Sequence, residues 1–114
     1  MCYNLPVEVT QLEYDGFDWD SGNIKKAQKH GVTFEEIEDF FTKELLVLND
    51  FKHSKAESRK IAVGTSKKSR PMFVVFTLRK KQGLMLVRVV SARYTHKKEA
   101  ELYEKLKKRI EENG

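Results

Sequence analysis

Cysteine is all but missing from the chain: Cys2 is the only one in 114 residues. A single thiol cannot close an internal disulfide or build a cysteine metal cluster, and such scarcity fits a reducing compartment. Long apolar runs are missing as well. No stretch approaches the ~18 residues of a membrane span, and MCYNLPVEVTQ carries neither a basic start nor an apolar segment of signal-peptide length. A soluble, cytoplasmic protein without a membrane partner is therefore expected. Glycine-rich phosphate fingerprints are absent, because the glycines in strand or turn context stand singly. His30, His53 and His96 lack the paired spacing of metal ligands, and no Ser or Cys triad signature is present. No metal or cofactor is expected.

What is present is charge and enough apolar residue for one core. Lys and Arg number 22 against 17 Asp and Glu, a formal charge of +5. That excess suits a polyanion or an acidic protein as partner. At this length the chain is one domain, residues 1–114, able to bury a core without staples. A hydrophobic share of 39% rules against disorder of the whole chain.

The chain is organised around residues 57–94, where three runs of β-branched and aromatic residues are fenced by basic ones. The separators Ser66 to Arg70 and Lys80 to Gly83 suit hairpin loops, so a three-stranded antiparallel meander is expected. Alternation puts Arg59, Ile61 and Val63 on one face of the first strand, and Phe73, Val75, Thr77 and Arg79 on one face of the second. In the third strand it puts Arg88, Val90, Ala92 and Tyr94 together, opposite Val87, Val89, Ser91 and Arg93. Ahead of the meander, Phe17 to Asp20 reads as a short strand, and Asp20 as the cap of a helix through Lys29, stopped by Gly31. Its apolar face, Ile24, Ala27 and Gln28, is thin. Thr33 to Glu36 is a capping box that starts a second helix with a strong apolar face, Phe34, Ile37, Phe40 and Phe41. Leu45 to Leu48 reads as a buried strand. Thr95 is expected to cap a last helix with Glu99 near its start and Leu102, Leu106 and Ile110 as its stripe. The fold class is α+β, an antiparallel or mostly antiparallel sheet with two helices before the meander and one after it.

Chemistry has to come from fixed cations beside a few proton-transfer groups: Arg59, Arg79, Arg88 and Arg93, with His53, Glu57 and Tyr94. RNA carries its own nucleophile in the 2′-hydroxyl. Cleaving it takes a base for that hydroxyl, cations for the phosphorane and an acid for the leaving oxygen. Arginines at strand ends also serve as solubilising or edge-protecting groups, so composition alone leaves both readings open.

Several segments, in order, decide between them by resemblance: FDWDSGNIKKAQKHGVTFEEIEDFF, HSKAESRKIAVG, VVFTLR and RVVSARYTHKKEAELYE. Together, over residues 17–104, they resemble the BrnT toxins, ribonucleases of a bacterial type II toxin-antitoxin system with a RelE-like fold. The resemblance implies RNA cleavage that blocks translation and a protein antitoxin, BrnA-like, that binds the toxin and with it represses the promoter. Operator DNA is then met only through the antitoxin, in a heterotetramer. Positions matching the family pattern are Lys29, His30, His53, Glu57, Arg59, Thr77, Arg79, Arg88, Ser91, Arg93, Glu99 and Tyr103. Two departures stand out: Tyr94 where the family usually has a further basic residue, and an N-terminal extension, residues 1–16. On this basis Arg79 and Arg93 are expected to stabilise the phosphorane and Arg59 to position phosphate. His53 or Glu57 would be the base, Tyr94 or His53 the acid, and Lys29, His30 and Arg88 would bind RNA. The rival reading is a non-catalytic module of the same fold that binds protein or nucleic acid.

Overall fold

The computed structural model describes residues 8–10, 12–49, 58–66 and 70–113, with side chains from residue 12 onward except at 110, 111 and 113. Its centre is the expected meander, β4 (Lys60–Thr65), β5 (Pro71–Lys81) and β6 (Leu84–Tyr94), antiparallel at both joints. β5 and β6 run further than expected because their turn is tighter. Only Gln82 and Gly83 lie outside the ladder, at φ 51° and 80°, the left-handed pair a two-residue hairpin favours.

The sheet then widens on both sides. β3 (Leu45–Asn49) pairs antiparallel with β4, and β1 (Glu8–Thr10) pairs antiparallel with β3, so the N-terminal extension contributes an edge strand. The expected strand at Phe17 to Asp20 shrinks to β2 (Gly16–Phe17), which lies parallel to β6. The order is β1-β3-β4-β5-β6-β2. Beyond β2, the Asn23 side chain covers the β6 edge by donating to the Val89 carbonyl at 3.2 Å.

One face of the sheet carries α1 (Ser21–Gln28) and α2 (Phe34–Phe40). Ala27, Ile37, Phe40 and Phe41 are buried there against Met72, Val74, Phe76, Val87 and Val89. Gly64 makes the close approach workable: a Cβ at that position would stand 2.6 Å from Leu45 Cδ2 and 3.1 Å from Phe40 Cε2. Asp20 caps α1 in a reciprocal box with Asn23, and Thr33 caps α2 by accepting from the Glu36 amide, as expected. The buried face of α1 is Asn23 and Ala27, whereas Gln28 is exposed.

The opposite face carries α3 (Lys97–Asn113) over the β3–β4 end, where Tyr103 and Leu106 meet Leu46, Ile61, Val63 and Phe73. Of the expected stripe, Leu106 packs as expected, Leu102 is exposed with Tyr103 in its place, and the Ile110 side chain lies outside the described residues. Thr95 does not cap this helix. It is buried, and both its amide and its hydroxyl donate to the Pro71 carbonyl, which closes the β5–β6 ladder. The cap moves one residue on, where Glu99 accepts from the His96 amide.

The third strand departs most from expectation. Val75 pairs with Ser91 but Phe76 with Val89, so Val90 is an extra residue, a β-bulge. A bulge inverts the alternation beyond it. Val87, Val89, Ala92 and Tyr94 thus face α1 and α2, while Arg88, Ser91 and Arg93 face the other way. Without the bulge Arg88 and Arg93 would point to opposite sides. Among the described residues, no helix is long and apolar enough to cross a membrane.

Candidate active site

Where α3 ends its cover, the β5–β6–β2 half of its face is lined by cations. Thr77 stands opposite Arg88 across the β5–β6 ladder, and Arg79 is the next residue on that face of β5. Arg59 directly precedes β4, where Lys60 pairs with Phe76, so alternation places it on this face beside Thr77. Lys81 follows Arg79 at the strand end. The arginine positions share one face because the ladder holds their backbones in fixed register.

Two acids from the β2–α1 corner close this row. The Asp18 amide donates to the Val87 carbonyl at 2.8 Å, which extends the β2 pairing and sets the Asp18 side chain beside Arg88. Asp18 Oδ2 lies 3.0 Å from Lys81 Nζ, 3.6 Å from Arg88 Nη1 and 3.9 Å from Arg79 Nη1. Arg88 Nη2 is 2.8 Å from Asp20 Oδ2. The Asn23 amide first, and then Arg88, hold the Asp20 carboxyl below its ordinary range. In the middle of the row Thr77 is 4% exposed, and its buried hydroxyl meets no hydrogen-bond partner among the described residues. A buried polar group in that state calls for an explanation.

Arg93 is held differently. Its Nη1 and Nη2 donate to both Glu99 oxygens at 2.7 and 2.8 Å, and the guanidinium lies 4.9 Å from the centre of the Phe73 ring. Arg93 and the His96 amide lower the Glu99 carboxyl to about 2, and Glu99 in turn raises Arg93. A carboxyl depressed from 4.5 to about 2 adds stability that is present above about pH 4.5 and fades as the pH falls toward 2. Melting curves from pH 5 to about pH 2 should thus fall more steeply for the wild-type chain than for Glu99→Gln. Parallel curves would show that the fork contributes nothing in solution.

The register also separates residues that the sequence placed together. Arg79 pairs with Leu86, and Arg93 lies seven residues further along β6. At ~3.3 Å per residue their backbones are roughly 20 Å apart, too far for both guanidinium groups to reach one phosphorane. Tyr94 leaves the site altogether: it points to the helix-covered face, where its hydroxyl donates to Glu36 Oε2 and its ring lies 5.4 Å from the Arg70 guanidinium carbon. Neighbours on a strand face opposite ways, so Arg93 and Tyr94 cannot serve one groove. Lys29 and His30 are exposed just past α1, in the helix layer. No described contact joins them to the cationic row. His53 and Glu57 lie outside the described residues.

The sequence reading missed Asp18 as part of the site. Its signal was the alternation Phe17-Asp18-Trp19, with both aromatics packed on the core and the acid turned toward the strand that carries Arg88. A shallow cavity of about 540 Å³ between Leu12, Tyr14, Phe41 and Thr42 belongs to the other face and lacks any of these cations. A family model described as "Ribonuclease toxin, BrnT, of type II toxin-antitoxin system" matches residues 19–99. No curated protein matches the chain.

Proposed function

The chain belongs to the BrnT ribonuclease toxins of type II toxin-antitoxin systems, and on that premise we propose that it cleaves RNA without a metal, at the row of Arg59, Thr77, Arg79 and Arg88. The observation that carries this reading is the cationic half-face itself. Arg79, Lys81 and Arg88 converge on one carboxylate oxygen, on a side of the sheet that α3 leaves uncovered. Guanidinium stays charged and meets phosphate oxygens in bidentate fashion, so such a row can hold a strand and stabilise charge on a phosphorane.

The 2′-hydroxyl of RNA attacks the adjacent phosphorus and the 5′-oxygen leaves. The 2′-hydroxyl proton goes either to Glu57, with protonated His53 giving one to the leaving 5′-oxygen, or to His53, which then passes it to that oxygen; both residues precede Arg59 in the sequence. Arg93 is too far along the strand to act on the phosphorus held by Arg79; it binds a neighbouring phosphate of the same RNA. A BrnA-like antitoxin neutralises the toxin in a heterotetramer, and operator DNA is met only through it.

The test is direct. The chain, purified free of antitoxin, is incubated with RNA in EDTA. Cleavage leaving 2′,3′-cyclic phosphate ends is expected, because attack by the 2′-hydroxyl produces them. RNA that stays intact would overturn the enzymatic reading and leave a binding module of the same fold.

A further inference from the structure

Asp18 is an acid in the wrong place for a protein that binds polyanions. Its carboxylate fills the position a phosphate oxygen would take, with Lys81, Arg88 and Arg79 at 3.0, 3.6 and 3.9 Å from the same Oδ2. The two guanidinium distances are longer than a hydrogen bond, and the oxygen is buried without a directed donor. Three cations therefore surround the Asp18 oxygen by charge rather than by directed hydrogen bonds, and the closest anion of Arg88 is Asp20 at 2.8 Å. Beside them is the buried Thr77 hydroxyl without a partner among the described residues, facing Arg88 across the ladder. An RNA phosphodiester also carries its charge on two oxygens, but they are set tetrahedrally on phosphorus and further apart than those of a carboxylate, so one can accept from the arginines while the other accepts from the hydroxyl.

We propose that Asp18 is a displaceable internal anion, which occupies a phosphate subsite between Arg79, Lys81 and Arg88 in the free protein and gives it up to the RNA backbone, with Thr77 as an added donor. This deepens the ribonuclease reading and rests on it. Only the side chain has to move: the Asp18 backbone is fixed to β6 by its amide, and its carbonyl accepts from Arg88 and Asn23. The acid holds the three like charges together while no RNA is present, and sets a threshold that a single weak anion does not cross. A strand with several phosphates in register does cross it.

The proposal is tested with the full chain and a 2′-O-methyl RNA oligonucleotide, which lacks the nucleophile and reports binding alone. Fluorescence anisotropy over a salt series compares wild type, Asp18→Asn and Thr77→Val. Asp18→Asn should bind about tenfold tighter at low salt, as removal of a competing charge among three cations predicts, and its advantage should shrink as salt rises. Thr77→Val, which keeps the shape, should bind about threefold weaker. Equal or weaker binding by a folded Asp18→Asn overturns the proposal, since it would make Asp18 a strut for the arginines. If Asp18→Asn does not fold, the wild-type chain decides: amide resonances of Asp18, Thr77 and Arg88 should shift together as the oligonucleotide is added, and shifts confined to other segments overturn it. Failure of the ribonuclease reading is seen separately, as intact natural RNA with wild type.

Discussion

Phe41→Ala should lower the unfolding free energy by ~3–5 kcal/mol, the usual cost of emptying an aromatic site in a core. Phe41 is fully buried, and its ring is the meeting point of three segments far apart in the chain. It contacts Tyr14 and Phe17 edge-on at 6.2 and 5.7 Å, Phe40 at 5.3 Å and Phe76 of β5 at 5.1 Å. Loss of the ring therefore leaves a cavity and also frees the corner that carries β2, whose pairing sets Asp18 beside Arg88. Against a total stability of ~5–15 kcal/mol for a domain of this size, the variant should lie near its unfolding threshold. Urea denaturation checks the figure, with Phe34→Ala as the control because Phe34 is only half-buried and, among the described residues, its ring meets only that of Trp19. A shift for Phe41→Ala no larger than that for Phe34→Ala would show that the corner repacks, and would remove Phe41 as the link between core and site.

Local patterns in the chain foretold every helix and each meander strand, because each rests on contacts within a few residues. The caps at Asp20 and Thr33, the apolar face of α2 and the turn at Gly83 are of this kind. What could not be read depends on pairing at long range. β2 lies parallel to a strand about seventy residues away, and nothing in Gly16 and Phe17 alone announces that partner. The bulge at Val90 is equally silent, since a β-branched residue fits a strand whether or not it is the extra one. Yet that residue decides which way Arg93 and Tyr94 point, and so it alone reverses the role assigned to Tyr94. Thr95 shows a third kind of miss, where tertiary demand overrides a local preference: its hydroxyl suits a helix cap, but the Pro71 carbonyl at the end of the ladder takes it instead.

Arg79→Ala and Arg93→Ala should fail in different ways, and the difference tests where the reaction takes place. The Arg79 side chain is 37% exposed, so its loss should leave the melting temperature close to wild type, as surface substitutions usually do. If it stabilises the phosphorane, cleavage should fall by ~10²–10³-fold, the usual effect of removing one donor from a site of developing negative charge. Arg79→Lys should recover only part of this, because an ammonium group keeps the charge but loses the fork. Arg93 joins β6 to the start of α3 through Glu99 and lies over Phe73. Its replacement should cost stability, ~1–2 kcal/mol once solvent screening at a half-exposed pair is allowed for. Two of its five donors engage Glu99 end-on and a third the Tyr94 carbonyl, and among the described residues the Nε edge remains for a phosphate. Loss of that single contact should weaken RNA binding about tenfold and flatten the salt dependence by about one charge, while the cleavage step on saturating RNA slows far less than in Arg79→Ala. Single-turnover cleavage with both variants, beside their melting curves, separates these outcomes. Should Arg93→Ala show the larger loss in the chemical step with its fold intact, the reaction centre would move to the Ser91–Arg93 end of the face, and the cationic row beside Asp18 would become the binding track.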